Sequence, residues 1–282
     1  MNCRLILQGP SLDNDKATAV AVATNGRLIQ RNGHYRLELP VPIGDSELAS
    51  LRAQNDFDIN RLPEQFDPQQ VALIIMDMDS TLISIECIDE IADFLDIKPR
   101  VAEITAAAMR GEIDFETSLR RRLALLENLD DGVLAHVYNE RLSLNPGAEI
   151  MIRRTRQRGI KIALVSGGFT YFTEKLKSRL GLDYTLANEL KFSNGKLIGL
   201  ENDVIVGAQS KADFLCTVCR ELDITPDRAI AIGDGANDLL MMQLAGLSVA
   251  YHAKPAVQQQ AVTTLNHCGL DGVLGFLDID NE

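Results

Sequence analysis

Short uninterrupted apolar runs recur along the chain from residue 71 onward, at 71–76, 161–165, 229–232 and 247–250. Runs of this length predict strands buried on both faces, and the helical stretches between them predict βαβ units joined into a parallel sheet. Residues 88–143 read as helix almost throughout. That is too long for a simple crossover, so an inserted helical subdomain is expected. Residues 189–200 alternate around Ser193-Asn194-Gly195, a hairpin signal.

The first sixty residues follow a different pattern. The apolar runs at 5–7 and 18–23 read as strands, and residues 34–39 alternate as a strand does. Asn25-Gly26 and Asn32-Gly33 mark turns, Pro40 and Pro42 break the chain, and 46–54 has helical character. Residues 56–68, polar and proline-bearing, read as a linker. The acidic residues after 274 are expected to fray. The resulting expectation is an α/β protein: a small N-terminal α/β module at 1–66, then a parallel-sheet domain at 67–282. The helical insertion spans about 86–145 and the hairpin about 188–202.

Composition narrows the chemistry. The 282 residues are 46% hydrophobic, enough for a sizeable core, and carry a net charge of -12 with no tryptophan. That charge disfavours nucleic acid or an anionic membrane as partner. It also means that an anionic substrate must be held by local positive potential, from a metal, Lys, Arg or backbone N–H groups. No apolar stretch reaches membrane-spanning length, and residues 1–10 lack the apolar core of a secretory signal. Five cysteines form no disulfide framework, and a reduced cytoplasm is expected. Cys216 and Cys219 sit on one helical face without a second ligand pair, which reads as packing rather than a metal or redox site.

The candidate chemistry lies where the apolar runs end. Asp77-Met78-Asp79-Ser80-Thr81 follows the first run directly, and ligands of open parallel sheets bind at the carboxyl ends of strands. If the strand continued, Asp77 and Asp79 would share one side and repel unless a cation or a proton intervened. They could equally be solvated turn residues or a helix N-cap. The second run ends in Ser166-Gly167-Gly168 before a helical stretch, which suits an anion, although an ordinary glycine turn has the same composition. The third ends in Gly233-Asp234-Gly235-Ala236-Asn237-Asp238, whose spacing is not that of an EF-hand. Lys211 opens the helix before that run and could neutralise a phosphate. A lone lysine is usually solvated surface, so it gains weight only from its companions.

Taken together and in this order, these segments resemble the motifs of the haloacid dehalogenase superfamily. Glu86-Cys87-Ile88-Asp89-Glu90, Ala208-Gln209-Ser210-Lys211-Ala212 and His252-Ala253-Lys254-Pro255 are similar to its phosphoserine phosphatase branch. The resemblance covers about 71–274 and fits the N-terminal module only loosely, as an ACT-like regulatory or dimerisation unit. It implies a Rossmann-like core with a helical cap and a hairpin flap, working in the cytoplasm on O-phospho-L-serine in the last step of serine biosynthesis, and allows a homodimer. It also implies Asp77 as nucleophile, Asp79 as acid and base, and Mg²⁺ held by Asp77, the Asp79 backbone carbonyl and Asp234. Ser166, Gly167 and Lys211 would bind phosphate, while Asn237 and Asp238 orient Lys211 and the metal's waters. In the cap, Glu86 would take the substrate ammonium and Arg122 its carboxylate, with Met109 and Phe115 closing over it. Arg121, beside Arg122 in a basic run, competes for that role. Transfer of the phosphoryl group to another alcohol such as homoserine, hydrolysis of another small phosphomonoester, and an aspartate-phosphorylated receiver domain are the alternatives.

Overall fold

The computed structural model describes residues 3–280, without the side chains of Cys3 and Met109. The chain opens with β1 (Cys3–Gln8), α1 (Asn14–Ala23), β2 (Arg27–Arg31), β3 (His34–Leu39), α2 (Asp45–Ala53) and β4 (Asp58–Leu62). These strands form an antiparallel sheet in the order β2-β3-β1-β4. One face packs on α1 and α2 through Leu5, Leu37, Ile59, Val20 and Leu48.

Two sequence expectations fail here. Residues 18–23 are helix, not strand: Asp13 caps α1 by accepting from the Lys16 amide at 2.8 Å, and only Ala17, Val20 and Ala21 are buried. That is helical spacing within a run whose small apolar residues also suit a strand. The expected linker contains β4, which pairs with β1 over five residues. Asp58 and Asn60 of β4 are buried and bonded to residues some two hundred positions away. Asp58 accepts from the amides of Asn266, His267 and Cys268 at 2.8–3.1 Å. Asn60 exchanges two bonds with the Thr264 backbone.

The second sheet begins with β5 (Leu73–Met76), every residue of which is fully buried. Then come α3 (Cys87–Asp93), α4 (Lys98–Met109), α5 (Phe115–Leu125) and α6 (Gly132–His136), before α7 (Ala148–Gln157) and β6 (Lys161–Phe169). Next are α8 (Thr170–Leu180), β7 (Tyr184–Asn188), the hairpin β8 (Leu190–Ser193) and β9 (Lys196–Leu200), and α9 (Ala208–Glu221). The chain closes with β10 (Ala229–Gly233), α10 (Leu239–Leu244), β11 (Leu247–Tyr251), α11 (Pro255–Gln258), β12 (Thr263–Leu265) and α12 (Gly272–Phe276). Strand order is β12-β11-β10-β5-β6-β7, with every neighbouring pair parallel. The connections run outward from β5 to β6 and β7, then return to β10 on its other side. A topological switch point therefore lies at the carboxyl end of β5, where such sheets bind ligands.

Helices α3–α6 are joined to the hairpin. Asn128 and Leu129 exchange backbone bonds with Leu197 at 2.9 Å, Asp131 donates to the Gly195 carbonyl at 3.0 Å, and Lys196 pairs with Asp130 at 2.8 Å. The turn Asn194-Gly195 has both φ angles positive, which the twist of a two-residue hairpin requires. The expectation of a fraying tail fails for its described part, where Phe276, Leu277 and Ile279 are buried and Asp278 pairs with Arg31 at 3.2 Å; residues 281 and 282 lie outside the described residues. No helix among the described residues is long and apolar enough to cross a membrane.

Candidate active site

Asp77 directly follows β5 and extends its pairing with β10 by one bond, its amide donating to the Ile232 carbonyl at 3.1 Å. The strand then stops, so Asp77 and Asp79 are not alternate residues of one continuing strand. Met78 donates its amide to Asp77 Oδ1 at 2.7 Å, and Ser80 turns into the left-handed region at φ 58°. Asn145, where the chain re-enters from the inserted helices, donates its side-chain amide to the carbonyls of Ser80, Thr81 and Ile83. It adds to the bonds the turn makes within itself, from the Ile83 amide to the Met78 carbonyl at 3.0 Å and from the Ser80 amide to the Ile85 carbonyl at 3.2 Å.

Lys211 is fully buried, so the reading of it as solvated surface fails. Its Nζ lies 2.7 Å from Asp77 Oδ1 and 2.8 Å from Asp238 Oδ1. Asp238 Oδ2 accepts from the Gly235 amide at 3.1 Å, and Thr81 Oγ1 donates to Asp234 Oδ1 at 3.1 Å. Carboxylate oxygens of Asp77, Asp234 and Asp238 lie within 4.8 Å of one another. One lysine against three carboxylates leaves two negative charges in excess when all are ionised, and all-oxygen donors at this spacing suit a hard divalent cation.

The protonation energetics point the same way. Burial raises the Asp77 carboxyl well above the usual carboxylate range, the Asp238 charge adds to this, and Lys211 opposes it. Burial works against the charge on Lys211, yet Asp238 and Asp77 raise its pKa above the ordinary lysine value. Burial and then Asp238 raise Asp234 to about 6. Burial and the charge of Glu86 raise Asp79 to about 7, against the Cys87 amide that donates to its Oδ1 at 3.0 Å. Asp79 can therefore exchange a proton near neutral pH.

Ser166 and Gly167 stand at the end of β6, beside this cluster. Ser166 Oγ, fully buried, accepts from the Gly168 amide at 2.8 Å. A methyl group at Gly168 would meet Asp79 Oδ2 at 2.8 Å, which places the acid of the first segment against the glycines of the second. A methyl group at Gly167 would meet the Phe115 ring at 2.7 Å, so Phe115 covers this loop from α5.

Among the other expected residues, Arg122 is 8% exposed with its Nε unpartnered, whereas Arg121 is exposed. The Arg122 guanidinium feels the charges of Asp89, Glu86 and Asp79. Glu86 accepts from Ser80 Oγ at 2.7 Å and keeps one side open to solvent. Its surroundings raise its carboxyl through desolvation, which Ser80 opposes. Of the pair expected to orient Lys211 and the metal's waters, Asp238 bonds the ammonium, while Asn237 Oδ1 lies over Gly235. The Met109 side chain falls outside the described residues. Cys216 and Cys219 are free thiols on α9, and burial pushes Cys219 up to about 11, so it is no thiolate at neutral pH.

Thr81, Asn145 and Asn188 join the residues expected from the sequence. Thr81 lies within the first motif and was legible there. The other two act on backbone carbonyls across the fold, which leaves no local signal.

Comparison with known proteins places the chain in a family. The model of the haloacid dehalogenase-like hydrolases matches residues 71–246. A phosphoserine phosphatase of Polaromonas sp. is 51% identical over 207 residues, covering 72% of this chain and 88% of that protein. The crystal structure of a HAD family hydrolase from Salmonella enterica serovar Typhi superposes with a TM-score of 0.90 at 29% identity, covering 98% of each chain. That of a probable phosphoserine phosphatase from Vibrio cholerae, unliganded, gives a TM-score of 0.83 at 38% identity, covering 98% of this chain and 86% of that one. The chain belongs to the haloacid dehalogenase-like hydrolases, in their phosphoserine phosphatase branch.

Proposed function

We propose that this protein hydrolyses O-phospho-L-serine to L-serine and phosphate through an aspartyl phosphate on Asp77, with Mg²⁺ as its cation. The observation that carries the reading is the buried Asp77–Lys211 pair, 2.7 Å apart, beside two further carboxylates at the switch point of the sheet. Asp77 Oδ1 takes both the Met78 amide and the Lys211 ammonium, whereas both oxygens of Asp238 are engaged. Asp238 is occupied by Lys211 and Gly235, so Asp77, Asp234 and the Asp79 main-chain carbonyl are the groups that would hold the cation. What the bound cation supplies is neutralisation of the repulsion between a carboxylate and a phosphate dianion.

In the first step an Asp77 oxygen attacks phosphorus, the bond from phosphorus to the serine oxygen breaks, and Asp79 gives that oxygen its proton. In the second, water attacks the phosphoryl group, Asp79 takes the water's proton, and the bond to Asp77 breaks, which releases phosphate and restores the carboxylate. A pKa of about 7 suits Asp79 to both transfers. Lys211, Ser166 and Gly167 hold the phosphoryl oxygens, where charge spreads in the transition state.

Arg122, buried with a free N–H, would receive the substrate carboxylate, and Glu86 its ammonium. Residues 86–145 would act as a cap and 188–202 as a flap, with Phe115 excluding water above Gly167 and Met109 assisting it. The N-terminal module at 1–66 would be a regulatory or dimerisation unit, tied to residues 264–268 through Asp58 and Asn60. Phosphate release from O-phospho-L-serine tests the reading. It should stop in chelator, return with Mg²⁺ and be absent from Asp77→Asn; full turnover in chelator, or an active Asn variant, would overturn it.

A further inference from the structure

Asn188, the last residue of β7, is 4% exposed and lies against the loop that would hold phosphate in the proposed function, so its role rests on that reading. Its Nδ2 donates to the Gly167 carbonyl at 2.8 Å, and its Oδ1 accepts from the Val206 amide at 2.8 Å. A main-chain amide only donates and a carbonyl only accepts, so the orientation of the side-chain amide is fixed.

The peptide unit between Gly167 and Gly168 is thereby held at both ends. Asn188 takes the carbonyl, and Ser166 Oγ takes the N–H at 2.8 Å. Because the Ser166 oxygen accepts there, its own proton is turned away from Gly168 and is available to a phosphoryl oxygen. The sheet does not supply this order. Pairing between β6 and β7 is regular to Val165–Leu186, then shifts register before Phe169–Asn188, so Ser166, Gly167 and Gly168 lie in a gap in the ladder. The Asn188 side chain supplies a bond that the ladder omits. Its other end reaches Val206, one residue before Gly207, the N-cap of α9, whose carbonyl accepts from the Lys211 amide at 3.0 Å.

We propose that Asn188 is a positioning residue that sets the Ser166 hydroxyl and Lys211 as one donor set for the phosphoryl group. Displacing a reacting donor by about an ångström can cost on the order of a hundredfold in rate.

Asn188→Asp keeps the size and the acceptor for Val206 but turns an oxygen toward the Gly167 carbonyl. The variant should fold, with kcat lower by about 10- to 100-fold. Inhibition by inorganic phosphate should weaken by about tenfold or more, while the Mg²⁺ concentration for half activation stays unchanged. In a Ser166→Ala background the same change should have a smaller effect than in the wild type, because only the part that Asn188 exerts through Lys211 is left. An active wild type with unaltered kcat and phosphate inhibition in a folded Asn188→Asp overturns this role alone. A wild type inert toward O-phospho-L-serine overturns the functional reading and this role with it. If Asn188→Asp does not fold, exchange of the Asn188 side-chain amide protons in the wild type decides the matter. Slow exchange is expected, and exchange at the rate of a solvated amide overturns the role.

Discussion

Replacing Lys211 by Met removes the ammonium bonded to Asp77 and Asp238 and substitutes an apolar chain of similar length. Lys211 is fully buried, with carboxylate oxygens at 2.7 and 2.8 Å. At an effective dielectric constant of about 20, each contact is worth about 6 kcal/mol of gross attraction. Most of that offsets the cost of removing the charges from water, and breaking one side of such a buried pair nets about 3–5 kcal/mol of lost stability. The loss should depend on pH. Asp77 is already held well above the ordinary carboxylate range by burial and Asp238. Without Lys211 it rises further, so the folded state binds a proton more tightly than the unfolded chain does. The variant's stability is then fully present below the unfolded carboxylate pKa, about 3.9, and declines as pH rises toward the folded value. Adding Asp238→Asn removes one of the stranded charges and should recover part of the loss. Urea unfolding in chelator at pH 5 and pH 8 measures all three proteins. A Lys211→Met variant as stable as wild type at pH 8, or one that becomes more stable from pH 5 to 8 relative to wild type, refutes the reasoning.

Other consequences arise from the same geometry. Asp79→Asn should lower kcat by at least about a hundredfold. In the wild type, kcat/KM should fall above about pH 7 as Asp79 loses its proton, and residual activity of the variant should lack that limb. Gly167→Ala places a methyl group 2.7 Å from the Phe115 ring and should raise KM, and adding Phe115→Leu should restore it in part; steady-state kinetics of the single and double variants reads this out. Asp58→Ala strands three backbone amides of residues 266–268 and should cost about 3 kcal/mol in urea unfolding, with KM nearly unchanged.

Strands β5, β6, β10 and β11 were legible because they are continuous apolar runs, and the site because its polar groups follow those runs directly; the edge strands β7 (Tyr184–Asn188) and β12 (Thr263–Leu265) carry no such run and were not legible. Asp77, Ser166 and Asp234 needed no tertiary information to be noticed. Lys211 did: nothing local distinguishes it from a surface lysine, and only its two carboxylate partners from distant segments bury it. Arg122 could not be separated from Arg121 by composition, but the helix buries one and exposes the other. Residues 18–23 misled because alternating Ala and Val suit either period, and the cap at Asp13 was the deciding signal. β4 stayed hidden because its buried polar residues, Asp58 and Asn60, are satisfied by β12 and the loop after it, some two hundred residues away. Polar residues read as linker when their partners are out of sight.

The central claim is that Asp77 carries the phosphoryl group. Acid quenching during turnover of O-phospho-L-serine with Mg²⁺, followed by digestion and mass spectrometry, tests it most directly. The account predicts one phosphoryl group on the peptide bearing Asp77 in the wild type and none in Asp77→Asn. Phosphate released with no phosphoenzyme on a burst timescale, or a phosphoryl group on any other residue, would contradict it.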